Sequence, residues 1–266
     1  MGILNLTPDS FSDPGLFVDP KKAVEHAHHM VAQGADIIDI GAESSRPGSA
    51  AVSAEEELER LIPVLKQLVK ELKVPISVDT YKTQTARKAL EQGVDIINDI
   101  TGLRGEAGIP ELIAQYRAGL VIMHMRGNPK TMQVNPCYDD VINQIKEFCA
   151  GGIDIAVSAG VSLTQIIIDP GIGFGKDLEH NLAIIRQLSE FKELGCPVLV
   201  GLSRKSFIGQ ILDLPIDQRL EGSLAASAAA VINGADIVRV HDIKETKRVL
   251  KVIEAISGKN PVDSFN

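Results

Sequence analysis

Eight short apolar runs recur along this 266-residue chain, and nearly every one ends on a residue that can do chemistry. Residues 1–6 carry Asn5, and residues 37–41 run into Glu43, Ser44, Ser45 and Arg46. Residues 75–78 end on Asp79, 96–97 on Asn98, 120–123 on His124 and 166–168 on Asp169. Residues 197–201 lead to Ser203, Arg204 and Lys205, and 237–238 to Arg239, with His241 two further on. A strand that ends on a hydrophobe is a packing element. Strands that repeatedly end on Asn, Asp, His, Lys or Arg deliver polar groups to one end of a parallel sheet, where α/β folds keep their sites.

Helical patterns separate the runs, over 20–33, 54–72, 83–92, 110–115, 141–159, 178–191, 222–233 and 244–256. The second is the clearest. Ser53 and Glu56 have capping-box spacing, acids crowd the first turn, and Leu58, Leu61, Ile62, Leu65 and Leu68 recur at helical spacing. Three echoes, Gly34-Ala-Asp-Ile-Ile, Gly93-Val-Asp-Ile-Ile and Gly234-Ala-Asp-Ile-Val, place a left-handed glycine between a helix and strands 2, 4 and 8. Their separations give roughly 30 to 35 residues per unit, the size of a βα repeat. Eight such units without a composition break predict an α/β chain folded as a single (β/α)8 barrel over 1–266, with its site at the C-terminal strand ends. An open doubly wound sheet is the alternative. Met1 already lies in strand 1, so nothing in this sequence caps the barrel floor.

The net charge of −8 argues against a broad nucleic-acid surface, while a cluster of cations in a cleft still suits a small anion. No apolar run has the length of a membrane span, and no signal peptide is evident. Cys137, Cys149 and Cys196 have neither disulfide nor zinc spacing, which points to reduced thiols and a cytoplasmic protein.

Asp79 and Asp169 end buried strands, where a carboxylate needs a partner; a donor-rich heterocycle would supply one, as would a structural salt bridge. Asn98 donates and accepts and suits the same ring. The run from Gly171 to Lys176 fits neither dinucleotide nor P-loop spacing; its glycines read as letting backbone and Phe174 approach a flat ligand. Ser203, Lys205, Arg239 and His241 form the best anion site, at the strand ends where barrels commonly hold phosphate. Lys205 also has the placement of a Schiff-base lysine. His124 reads equally as structural or functional. His26, His28 and His29 look metal-like but lack a completing acid or thiol, and read as a solvated helix face. Two polar loops, 7–19 and 44–53, follow early strands and read as lids or binding loops over the site, with plain surface loops as the alternative.

These motifs, taken in order, resemble the dihydropteroate synthase family. The resemblance is carried by Met1-Gly-Ile-Leu-Asn-Leu-Thr-Pro-Asp-Ser-Phe-Ser-Asp13, Glu43-Ser-Ser-Arg-Pro-Gly48, Ser77-Val-Asp-Thr80, Ile97-Asn-Asp99, Met123-His-Met125 with Gly127-Asn-Pro-Lys-Thr-Met132, Asp169-Pro-Gly-Ile-Gly-Phe-Gly-Lys176, Gly201-Leu-Ser-Arg-Lys-Ser206 and Arg239-Val-His241. It implies a Mg2+-using transferase of folate biosynthesis, a sulfonamide target. Such an enzyme condenses 6-hydroxymethyl-7,8-dihydropterin diphosphate with p-aminobenzoate, giving 7,8-dihydropteroate and diphosphate.

By the same resemblance Asp79, Asn98, Met123, Asp169, Phe174 and Lys205 bind the pterin, and Asn5, Arg239 and His241 the diphosphate. Asn5 also meets Mg2+, and Ser45, Arg46, Pro47 and Ser203 shape the p-aminobenzoate pocket. Lys205, Asp79, Arg239 and His241 are the implied catalytic groups. The family reaction is dissociative, so no activated nucleophile is needed. The partners implied are small molecules and a second copy in a homodimer, with neither nucleic acid nor membrane. Two departures stand out: Ser45 where many members have Thr, and no segment before Met1. Rival readings are a pterin-dependent corrinoid methyltransferase, a non-catalytic pterin-binding barrel and a Schiff-base aldolase.

Overall fold

The computed structural model describes residues 1–7, 19–44, 49, 51–127 and 131–258. Strands and helices alternate: β1 Gly2–Asn5, α1 Pro20–Ala32, β2 Ile38–Gly41, α2 Ala54–Glu71, β3 Ile76–Asp79, α3 Thr83–Gln92, β4 Ile96–Asp99, α4 Ile109–Tyr116, β5 Gly119–Met123 and α5 Val141–Ser158. Then come β6 Ile166–Asp169, α6 Leu178–Arg186, β7 Leu199–Gly201, α7 Ser206–Leu212, α8 Leu220–Ile232, β8 Ile237–Arg239 and α9 Ile243–Ile256.

β1 to β6 form one parallel sheet in chain order, and β7 pairs with β8. Parallel bridges Gly2↔Val240 and Ile168↔Val198 join the two pieces at both edges. The eight strands therefore close into a (β/α)8 barrel, the architecture the sequence predicts.

Local chemistry explains the elements. The glycines of the three echoes adopt φ of 102°, 99° and 118° at Gly34, Gly93 and Gly234, a region in which a Cβ is strained. In two of the three, the Asp that follows does a second job at the floor. Asp95 accepts from the Ile76 amide at 2.8 Å, and Asp236 from the Val198 amide at 2.8 Å, each holding the neighbouring stave. Ser53 caps α2 by accepting from the Glu56 amide at 3.2 Å. The expected reciprocal arm is absent among the described contacts; the Glu56 carboxylate pairs with Arg60 one turn on instead.

Two helices differ from the sequence reading. The segment 178–191 splits into α6 and a 3₁₀ stretch, Leu188–Leu194, because Leu188 and Phe191 turn into the core. α7 was absent from the expected set, being one of the shortest and starting directly on the Lys205 loop.

Side chains alternate between two cores. Outward-facing residues such as Ile38, Ile40, Val78 and Ile97 pack under the helices. Met1, Ile96, Val121 and Leu199, with Ile37, Ile167 and Ile237, fill the barrel interior. Following the period of two, the interior row continues upward to Asp39, Asp79, Asn98, Met123, Asp169 and Arg239. A cavity of about 320 Å3 opens at the other end, beside Met1, Asp36, Ile37, Asp236 and Lys247, away from these groups.

Candidate active site

Register brings the strand ends together. Asn5, Gly41, Asp79 and Asn98 lie level across β1 to β4, and Met123 lies level with Asp169 on β5 and β6. Gly41 matters because it lacks a side chain. A Cβ there would sit 3.5 Å from Asp79 Cβ and 3.9 Å from Asn5 Oδ1, filling the space between them. Gly201 does the same between Lys205 and Arg239, at 3.7 Å from Nζ and 3.9 Å from Cβ.

Arg239 is the hub. Its Nε donates to Asp39 Oδ2 at 2.6 Å and its Nη2 to Asp79 Oδ2 at 3.2 Å. Burial pushes the Asp79 carboxyl up to about 7; Arg239 opposes this, and Asp39, Glu57 and Asp99 add to it. Asn98, 4% exposed, donates from Nδ2 to the same Asp39 oxygen at 3.2 Å.

Lys205 completes the far wall. Its Nζ donates to the Ile172 carbonyl and lies 4.6 Å from the centre of the Phe174 ring. Burial lowers this amine to about 8, with Asp169 opposing the shift. Asp169 is 6% exposed; its Oδ1 accepts from the Gly171 amide at 2.7 Å, and burial raises its carboxyl. A carboxylate and an ammonium thus face a small apolar patch made of Ile100, Met123, Met125 and Met132, with Tyr81 and Phe174 against it.

Ser203 Oγ and His241 Nδ1 are 3.0 Å apart, so the β7 and β8 ends meet as expected. Arg204 turns away, φ 60°, to bind Asp242. His124 is 5% exposed, edge-on to Phe148 and bonded to Lys176. His26, His28 and His29 are exposed on α1, and His28 pairs with Glu71. No cluster of three metal-ligating His, Cys, Asp or Glu side chains exists among the described residues. Ser45, Arg46 and Pro47, and most of the 7–19 loop, lie outside the described residues.

This arrangement, with Arg239 held by Asp39 and Asp79, Lys205 beside Asp169, and an apolar patch next to them, suits a planar heterocycle that carries an anion. The chain matches the pterin binding enzyme family over residues 1–241. A dihydropteroate synthase of Synechocystis is 50% identical over 257 residues, 96% of this chain and 89% of that protein. The chain belongs to the dihydropteroate synthase family. Solved structures agree. A Clostridium difficile dihydropteroate synthase in the presence of pteroic acid superposes with a TM-score of 0.90 at 47% identity, covering 96% of this chain and 95% of that one. A Yersinia pestis dihydropteroate synthase with a sulfonamide drug gives 0.92 at 44% identity, covering 97% and 93%.

Three groups of this barrel escaped the sequence reading. Asp39 is fully buried beneath Arg239. Its signal was there, in the inward phase of Ile37, Asp39 and Gly41. Lys176, 2% exposed, donates to the carbonyls of Gly171 at 2.8 Å and Phe174 at 3.0 Å, folding the glycine loop around one amine. Glu57 on α2 and Lys82 beyond β3 are both buried, and Lys82 also pairs with Glu43. Nothing local in the sequence separates that pair from surface charges.

Proposed function

We propose that this chain condenses 6-hydroxymethyl-7,8-dihydropterin diphosphate with p-aminobenzoate, forming 7,8-dihydropteroate and releasing diphosphate in folate biosynthesis. The observation that carries the reading is Arg239 held between Asp39 and Asp79, facing the Lys205, Asp169 and Phe174 wall across glycine-lined space.

In this reading Asp169, Asn98 and Asp79 recognise the donors of the pterin edge, and Met123 and Phe174 flank the ring. Lys205 donates to a ring acceptor, exchanging its present bond to the Ile172 carbonyl for one to substrate. Arg239, His241 and Asn5 face the diphosphate. As the C–O bond to diphosphate breaks, Arg239 and Lys205 stabilise the departing negative charge, and Asp79 the cation left on the pterin methyl. The aryl amine then attacks that carbon and loses its proton to solvent. Ser203 and the 45–47 segment bound the p-aminobenzoate pocket, with Ser203 held by His241.

Asn5 fits Mg2+. Its amide is a hard oxygen donor, and Gly41 leaves the space beside it open to a second oxygen. When bound, the ion supplies charge that neutralises the leaving diphosphate. The whole chain serves as one domain in the cytoplasm, and no helix of the described residues is long and apolar enough to cross a membrane. Exposed Ile211, Ile216, Ile232, Val252 and Ile256 on the later helices support a homodimer through that face.

Diphosphate release tests the function. Release should need both substrates and stop with excess chelator. Release at the same rate without p-aminobenzoate, or none with both present, refutes it; the second result would leave a pterin-binding barrel without this catalysis.

A further inference from the structure

Asp39 takes no part in the chemistry just described. It is fully buried on β2, one layer below the site. Its Oδ2 accepts twice, from Arg239 Nε at 2.6 Å and from Asn98 Nδ2 at 3.2 Å. Its Oδ1, like the Ser77 hydroxyl level with it on β3, is buried without a protein partner among the described residues. A buried acid with a spare acceptor is a poor way to gain stability, so its value lies in geometry.

The geometry is specific. A carboxylate oxygen only accepts, so it selects the Asn98 orientation in which Nδ2 faces the floor. The same oxygen takes the Nε of Arg239, while Asp79 takes Nη2. The guanidinium plane is thereby fixed at two corners, and Nη1 stays uncommitted among the described residues. We propose that Asp39 is a positioning residue that locks the pterin-facing amide of Asn98 and the anion-facing guanidinium of Arg239 into one rigid unit. The proposal rests on the roles given to Asn98 and Arg239 above.

A four-protein cycle tests it: the parent, Asp39→Asn, Arg239→Gln and the double variant, each checked for an unchanged melting temperature. Calorimetry measures the pterin diphosphate and, separately, the pterin alcohol that lacks the diphosphate. Asp39→Asn should weaken the diphosphate substrate by about tenfold or more, as expected when one partner of a buried pair is lost. The alcohol should lose less, because only the Asn98 arm then reports. In the Arg239→Gln background, Asp39→Asn should cost the diphosphate substrate no more than it costs the alcohol. Equal losses for both ligands in both backgrounds indicate a merely structural acid and overturn the proposal. If Arg239→Gln alone leaves diphosphate affinity unchanged, the role of Arg239 fails and the proposal with it. If Arg239→Gln weakens binding while Asp39→Asn does not, only the proposal fails.

Should Asp39→Asn not fold, the parent protein answers by NMR. The Arg239 Nε–H signal, assigned by its loss in Arg239→Gln, should exchange slowly with and without ligand. Fast exchange in the ligand complex would show that Asp39 does not hold the guanidinium there.

Discussion

Lys176 Nζ lies 2.9 Å from His124 Nδ1, and both residues are buried. Burial, with Lys176 and Arg104 close by, drives the imidazole down to about 2, so it is neutral and accepts through Nδ1. Burial also lowers Lys176 to about 7, opposed by Asp169. Between about 7 and its unperturbed 10.5 the folded chain binds fewer protons at this site than the unfolded chain. Stability at this site therefore rises with pH across that window. Lys176→Met should abolish this rise and cost about 1–3 kcal/mol, since two loop carbonyls lose their donor. Urea unfolding of both proteins below, within and above the window measures both effects; parallel pH curves would disprove the assignment.

In the proposed reading, Asp79 makes pterin binding pH-dependent. Its folded carboxyl titrates at about 7 against a reference of 3.8, so it holds a proton the unfolded chain has already released. Stability from this group is full below the lower value and falls as pH rises to the higher one. Ligand binding runs the other way, because an ionised carboxylate accepts ring N–H groups. Pterin affinity should climb through neutral pH, and Asp79→Asn should remove the step. A step of the same size in that variant would assign it to another group.

Two glycines separate space from conformation. A Cβ at Gly171 would lie 1.9 Å from the His124 carbonyl oxygen, at φ +70°. Gly171→Ala must push the glycine loop off β5, and we expect more than about 3 kcal/mol of destabilisation with pterin binding lost. Gly151, inside α5, meets nothing within 4 Å. Gly151→Ala should stabilise the protein by about 0.5–1 kcal/mol. Thermal unfolding compares the two directly.

Lys82 sits between Glu43 and Glu57, and Glu57 Oε2 also accepts from Thr85 at 2.7 Å and Thr80 at 3.2 Å. Lys82→Met strands two acids, one of them 1% exposed, and should cost about 3–5 kcal/mol. Adding Glu57→Gln should recover part of the loss, because burial already raises that carboxyl and favours its neutral form. Denaturant melts of the single and double variants decide this; no recovery would mean that Glu43 is the partner that counts.

Sequence reading went furthest where one period governed both packing and chemistry. Eight apolar runs ending in polar residues predicted the staves, and the alternation within them put Asp79, Asn98 and Asp169 inside. It stopped where the partner lies far away in sequence. Asp39 meets Arg239 only because β8 closes onto β1, two hundred residues away. The Lys176 amine acquires its role from a carbonyl cage that its own glycines build, which no spacing rule encodes. Residues 45–47 remain tied to the family resemblance alone.

The closure of the barrel is uneven. β1 to β6 share continuous ladders, whereas β7 and β8 join them through shorter seams: Ile168 donates to the Pro197 carbonyl on one side, and Met1, Ile3 and Val240 bond between β8 and β1 on the other. Ser203 and Lys205 leave β7, and Arg239 and His241 follow along β8, so four of the proposed site residues ride on one two-stave panel. Parting two narrow seams would swing that panel as a unit and carry the positive side of the pocket with it. The amides of Ile3, Ile168 and Val240, which stitch the seams, should exchange with deuterium ahead of those inside β2 to β5. On warming, affinity for the anion would fail abruptly while the larger sheet still stood.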